Sequence, residues 1–218
     1  MNARSTRIAR LVPTALAVGA LAVLSTIACA SPSQEVAQAS QGSTQQSKYK
    51  GTELAIPTPI PPVTLTDFNG KPYDIKANAA GKLTLVYFGY THCPDECPTT
   101  MATLASAVLQ LDDSDRNNVQ VVFVTTDPAR DTGPVIRRWL DHFSPSFVGV
   151  TGPLPTIKAV ATDVGVPIAK GRRLPSGGYD VTHGTQVLGL DGKNQIQVVW
   201  TLGTTAPEFA HDIHQLLS

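Results

Sequence analysis

Residues 83–88 form a nearly unbroken apolar run, Leu-Thr-Leu-Val-Tyr-Phe, and residues 119–125 form a second, Val-Gln-Val-Val-Phe-Val-Thr. Runs of this length, rich in β-branched and aromatic residues, predict strands buried on both faces. Between them the period changes. Met101, Leu104, Ala105, Val108 and Leu111 fall on one stripe, which predicts an amphipathic helix. Residues 132–143 and 155–164 also read as helices, and a closing helix carries Phe209, Ile213 and Leu216 on one side. Residues 63–67 and 71–75 flank Phe68-Asn69-Gly70, a hairpin turn signal. A late hairpin pairs 185–190 with 196–201 around Asp191-Gly192-Lys193-Asn194. Strand, helix, strand, helix, then an antiparallel hairpin and a last helix make an α/β domain with a central mixed sheet flanked by helices. Strand order is not legible at this level.

The same order fits a thioredoxin-like layout, and it occupies only part of the chain. Arg4, Arg7 and Arg10 precede an apolar stretch over 11–28, the pattern of an export signal. The stretch ends in Ser25-Thr26-Ile27-Ala28-Cys29, which resembles a bacterial lipobox whose cysteine becomes the lipidated first residue; Thr26 is a less usual residue there. An uncleaved membrane helix is the alternative anchor, since about 18 apolar residues is near the lower limit for spanning. Either anchor places the domain on the outer side of the cytoplasmic membrane; a cleaved, soluble product is the third option. Residues 30–50 are mostly Ser, Gln and Ala and read as a flexible tether. The Pro-rich stretch 56–62 leads extended into the domain. The expected organisation is therefore signal or anchor 1–29, disordered tether 30–50 and folded domain 51–218.

Charge narrows the function. Seventeen basic residues balance seventeen acidic ones among 218, and no basic run creates a local patch, which argues against a nucleic-acid partner. Cysteine use narrows it further. With Cys29 assigned to the signal, Cys93 and Cys97 are the only cysteines of the folded domain. A disulfide closing so short a loop removes little chain entropy, so redox chemistry or metal binding is the better reason for the pair.

The pair sits in Thr91-His92-Cys93-Pro94-Asp95-Glu96-Cys97-Pro98, between a predicted buried strand and a predicted helix. A helix N-terminus, with its partial positive charge and unpaired N–H groups, favours thiolate over thiol. Pro98 suits the first helical turn. Cys97 then opens the helix and Cys93 faces it from the loop. Three intervening residues separate this pattern from the Cys-x-x-Cys of disulfide oxidoreductases and leave more room for an ion. Asp95 and Glu96 are expected to raise thiol pKa by like-charge repulsion while favouring a bound cation. Soft sulfur ligands select Cu(I), Zn(II) or iron–sulfur, and an added imidazole suits Cu(II) or Zn(II). A third ligand has to come from a distant histidine, with His142, His183, His211 and His214 as candidates. His211 and His214 lie opposite an apolar stripe, and His142 ends a helix. His183 lies in Ser176-Gly177-Gly178-Tyr179-Asp180-Val181-Thr182-His183, a Gly-rich loop before a hairpin, where one imidazole could act as a clasp.

The segment from Gly89 through Cys93-Pro94-Asp95-Glu96-Cys97 to Met101 resembles the signature of the Sco/SenC family. Thr126-Asp127-Pro128-Ala129-Arg130-Asp131-Thr132, residues 147–152 and residues 179–183 resemble its later landmarks, in the family's order. The resemblance covers about 52–218. It implies a thioredoxin fold, copper held by Cys93, Cys97 and His183, and a role in supplying copper to, or reducing the cysteines of, the CuA centre in cytochrome c oxidase subunit II. Asp127 matches the acidic residue of the second motif, placed to tune the metal loop or meet the partner; capping the turn before the next helix is the structural alternative. Glu96 stands where the family usually has an apolar residue. Thr182 stands where Asp is common, so a carboxylate acting on His183 is missing there.

These readings favour a copper-binding metallochaperone, a binding protein rather than a turnover enzyme, whose partner is subunit II or another copper protein. The rival is a thiol–disulfide reductase in which Cys93 and Cys97 form a redox-active dithiol. A peroxidase of related fold and an inert structural disulfide complete the set.

Overall fold

The computed structural model describes residues 47–173 and 178–218. The expected export signal, Cys29 and residues 30–46 of the tether lie outside the described residues, as do Ser176 and Gly177. Among the described residues no helix is long and apolar enough to cross a membrane.

The elements run β1 Thr52–Pro59, β2 Thr64–Asp67, β3 Pro72–Asp74, α1 Ile75–Ala79, β4 Leu83–Gly89, α2 Glu96–Leu109, α3 Asp113–Asn118, β5 Val119–Thr125 and α4 Gly133–Leu140. They continue β6 Val148–Thr151, α5 Leu154–Asp163, β7 Ile168–Arg173, β8 Tyr179–His183, β9 Val187–Leu190, β10 Gln195–Trp200 and α6 Ala206–Leu217. Eight strands form one mixed sheet in the order β1-β10-β9-β4-β5-β6-β2-β3. β4, β5 and β6 are parallel, and the flanking strands join antiparallel.

Alternation along the strands divides the core. On β4, Leu83, Leu85 and Tyr87 point to one face, where they meet Met101 and Leu104 of α2, Ile136 and Leu140 of α4, and Phe209 and Ile213 of α6. Val86 and Phe88 point to the other, against Ile75 of α1 and Ile157 and Val160 of α5. The continuous apolar run of β4 is thus a consequence of helices on both faces. On β10, Ile196 belongs to the second face and Val198 to the first, although they are two residues apart. An irregularity in pairing between them reverses the side-chain alternation.

The Pro-rich stretch is more ordered than a mere extended lead. β1 pairs antiparallel with β10 at the sheet edge, with a register shift between Glu53 and Thr58 that accommodates Pro57. Tyr49 is buried in the core. Asp212 of α6, fully buried, accepts the N–H groups of Lys50 and Gly51 at 2.8 Å and the Trp200 indole N–H at 2.8 Å. Packing therefore begins ahead of position 51.

The segment around His183, expected as a loop, is instead the strand β8. Among the described residues it pairs only with β7, in a two-stranded sheet separate from the main one.

Candidate metal centre

β4 ends at Gly89, and the chain turns through residues 90–95 into α2. Pro98 lies in the first turn of α2, as its missing N–H allows. Asp95 is the N-cap residue, but its side chain does not cap. One of the helix's unpaired donors, the Cys97 N–H, points instead to Cys93 Sγ at 3.4 Å. A helix terminus thus supplies Cys93 with a donor that stabilises negative charge on sulfur.

The two cysteines are free and differ in environment. Cys93 is half-buried, and Cys97 is fully buried. Cys93 is held far below the ordinary thiol range. The hydrogen bond from the Cys97 thiol is the main cause, opposed by burial and reinforced by His183 and by the N–H groups of Cys97 and Asp95. Cys97 is pushed up, first because its proton is shared with Cys93 and then by burial. The pair is one thiolate beside one thiol. Like-charge repulsion from Asp95 and Glu96 does not raise the Cys93 thiol as expected: Asp95 acts through its backbone N–H, and the Glu96 side chain is exposed.

His183 comes from the end of β8, on a different part of the chain, and its Nε2 stands 3.5 Å from Cys97 Sγ. Its Nδ1 donates to the Gly184 carbonyl at 2.8 Å, which turns Nε2 toward the sulfurs. A backbone carbonyl thus fills the orienting role that a carboxylate at position 182 would otherwise take. Tyr87 and Tyr90 meet the imidazole edge-on, with centroids at 6.2 and 5.8 Å and interplanar angles of 82° and 88°. These rings fix its plane.

The other three candidate histidines lie elsewhere. His142 Nδ1 faces the Trp139 carbonyl at 3.2 Å, His211 Nδ1 faces Asp212 at 2.9 Å, and His214 Nδ1 faces Asp115 at 2.7 Å. None of these contacts involves the sulfurs.

The cysteine loop is pinned from below by Asp131, a residue with no role assigned from sequence. Its fully buried carboxylate accepts the Thr91 N–H at 3.0 Å, the Thr91 hydroxyl at 2.6 Å and the Thr125 hydroxyl at 2.7 Å. Asp127 is only 4% exposed, which removes it from direct contact with a partner. Its carboxylate accepts the Tyr179 hydroxyl at 2.7 Å and pairs with Arg130, and its carbonyl accepts the Arg130 and Asp131 N–H groups. It braces the turn and the β7–β8 hairpin together. Gly89 is required for close approach: a Cβ there would lie 2.8 Å from Tyr87, 2.9 Å from Phe123 and 3.1 Å from Cys97 Sγ.

Cys93 and His183 line an open cleft of about 380 Å³ with Asp95, Glu96 and Asp180, while Cys97 is fully buried. Among the described residues no three His, Cys, Asp or Glu side chains are gathered as a finished ion cage. The donor set is nonetheless chemically suited to a soft ion. With metal–sulfur and metal–nitrogen bonds of roughly 2.3 and 2.0 Å, a sulfur and a nitrogen sharing one ion stand roughly 3.5–3.8 Å apart. The Cys97–His183 separation of 3.5 Å falls within that span.

Comparison with known proteins agrees with this reading of the fold and loops. Protein SCO2 of Saccharomyces cerevisiae, a mitochondrial protein, is 38% identical over 135 residues, which are 62% of this chain and 44% of the yeast protein. The chain thus spans about half the length of the curated relatives it matches, such as this one. The copper-bound structure of Bradyrhizobium japonicum ScoI superposes with a TM-score of 0.65 at 31% identity, over 72% of this chain and 98% of that one. The apo Sco1 of Thermus thermophilus gives 0.69 at 29% identity, over 77% and 96%. The family model described as SCO1/SenC matches residues 58–218, and the chain belongs to the SCO1/SenC family.

Proposed function

We propose that this chain is an extracytoplasmic copper-binding metallochaperone that assists assembly of the CuA centre of cytochrome c oxidase subunit II. Cys93, Cys97 and His183 hold the copper, which is cargo rather than a resident cofactor. One observation carries the proposal: His183 Nε2, 86 residues from Cys97 in sequence, stands 3.5 Å from its sulfur, while Cys93 Sγ caps the same helix. Two sulfurs and an imidazole form a donor set that soft copper prefers. The similarity to a ScoI solved with copper bound supports the same ion. A lipid on Cys29 anchors the chain on the outer side of the cytoplasmic membrane, and the tether gives the domain reach to subunit II or another copper protein.

The test uses the reduced, metal-free full chain. Titration with Cu(I) or Cu(II) is expected to saturate near one equivalent, with a Cu(II)–thiolate charge-transfer band. His183→Ala should lose most stable copper and still form the Cys93–Cys97 disulfide. Undiminished copper retention in that variant would remove His183 from the ligand set.

A second reading draws on the thiolate character of Cys93: a thiol–disulfide reductase acting on the CuA-site cysteines. The Cys93 thiolate attacks the substrate disulfide and releases one substrate thiolate. Cys97 then displaces the second, surrendering its proton to a released thiolate, and two electrons pass to the substrate. This reading predicts that His183→Ala still reduces an oxidised CuA-site peptide in the absence of copper.

A further inference from the structure

The β7–β8 hairpin carries His183 but, among the described residues, shares no strand pairing with the eight-stranded sheet. It is attached to the domain by side chains and by the chain at its ends. Tyr179, Val181 and His183 alternate along β8 and therefore share one face. Each makes a different attachment. His183 reaches the sulfur and the two tyrosine edges, and Val181 packs against the core beside Tyr90. Tyr179, at the far end of the strand, sits beside an apolar cleft of about 370 Å³ bounded by Pro128, Leu154, Ile168 and Val181.

What spans its edge is polar. The Tyr179 hydroxyl donates to Asp127 Oδ1 at 2.7 Å, and the Arg130 guanidinium lies 3.9 Å from the Tyr179 ring centroid and 5.7 Å from that of Tyr90. Arg130 is in turn paired with Asp127. Asp127 and Arg130 belong to the same turn as Asp131, which holds the cysteine loop. One short turn therefore grips both halves of the donor set: Asp131 the sulfur side, Asp127 and Arg130 the imidazole side.

We propose that Tyr179 is a positioning residue for His183, a latch whose hydrogen bond to Asp127 and stack against Arg130 hold the β7–β8 hairpin closed over Cys93 and Cys97. Its consequence for copper rests on the function proposed above. Opening the latch leaves the hairpin held by Ile168, Val181 and His183 only, so the imidazole leaves the sulfurs more often and the ion is released faster.

The test is Tyr179→Phe in the full chain, which deletes the hydroxyl and keeps the ring beneath Arg130. A hydrogen bond to a charged acceptor on a partly exposed phenol corresponds to roughly a tenfold change in the closed-to-open ratio. Amide hydrogen exchange on the metal-free chain should accelerate about that much in β7 and β8 and remain unchanged in β4 and β5. The rate at which a Cu(I) chelator strips the loaded chain should rise by a similar factor, with the urea midpoint of the main transition unmoved. Arg130→Gln should act in the same direction. Unchanged exchange in the hairpin overturns the latch. Faster exchange with wild-type stripping overturns the positioning role. A wild-type chain that takes up no Cu(I) defeats the proposed function instead, and the exchange measurement still decides the latch.

Discussion

Asp131→Ala is the sharpest test of how the site is built. The wild-type carboxylate is fully buried and takes three donors, the Thr91 N–H, the Thr91 hydroxyl and the Thr125 hydroxyl, at 2.6–3.0 Å. Alanine removes the acceptor from all three, although the Thr91 hydroxyl also has His92 Nδ1 at 3.1 Å. A buried donor stripped of its partner costs about 1–3 kcal/mol, so simple addition gives roughly 3–9 kcal/mol. Addition overstates the loss, because Thr91 is only half-buried and water can reach its hydroxyl. A loss of about 3–5 kcal/mol is the expected outcome, a large share of the roughly 5–15 kcal/mol that holds a domain folded. Asp131→Asn keeps one acceptor oxygen in place and should cost about 1–2 kcal/mol. Urea unfolding of the metal-free chain measures both, with an unchanged m-value showing that the midpoint shift is a stability change. Iodoacetamide trapping of Cys97, which is buried in the wild type, reports loosening of the loop independently. A shift below about 1 kcal/mol for the alanine variant, with Cys97 still protected, would refute the reasoning.

Other outcomes follow from the same geometry. Gly89→Ala pushes a methyl group against Tyr87, Phe123 and the Cys97 sulfur, and should cost about 1–3 kcal/mol in urea unfolding and weaken Cu(I) retention. Because Cys93 is depressed and Cys97 raised, iodoacetamide at pH 6 should label Cys93 in the reduced metal-free chain and spare Cys97, as peptide mass spectrometry would show; equal labelling would contradict the thiolate–thiol pair. At Asp212 burial pushes the carboxyl up, but the N–H donors of Gly51, His211, Lys50 and Trp200 outweigh it and the net shift is downward. A depressed folded-state carboxyl contributes stability that is complete above its unfolded value of about 3.9 and is lost as pH falls through its folded value. Urea midpoints measured from pH 5 down to pH 2 should therefore fall less steeply in Asp212→Asn than in the wild type.

Much of this architecture is written in short-range pattern. The β4 and β5 runs, the stripe of α2, the β9–β10 hairpin and the Phe209–Ile213 face of α6 are all visible as local periodicity, because strand and helix bury faces at periods of 2 and 3.6. β1 escaped that logic: its prolines argue against a strand, and only the edge position with an irregular register tolerates them. β7 and β8 escaped it too, since their pairing with each other leaves a polar sequence half-exposed and without a buried stripe. Tyr87 carried a weak signal, sharing the parity of Leu83 and Leu85 and hence the face of α2. Asp131 carried none beyond its place in a recognisable motif.

Sequence alone determined that two cysteines stand at a strand-to-helix junction, because both neighbouring elements are specified by residues within a few positions of them. It determined the family as well, through motifs kept in order. The family resemblance implied His183, but only the tertiary structure put its ring against the Cys97 sulfur and decided that Asp131 and Asp127 brace the two halves of the donor set from one turn. The physical reason is that such contacts join residues 40 to 86 positions apart. Their energy depends on where the sheet carries each segment, and no local periodicity records that.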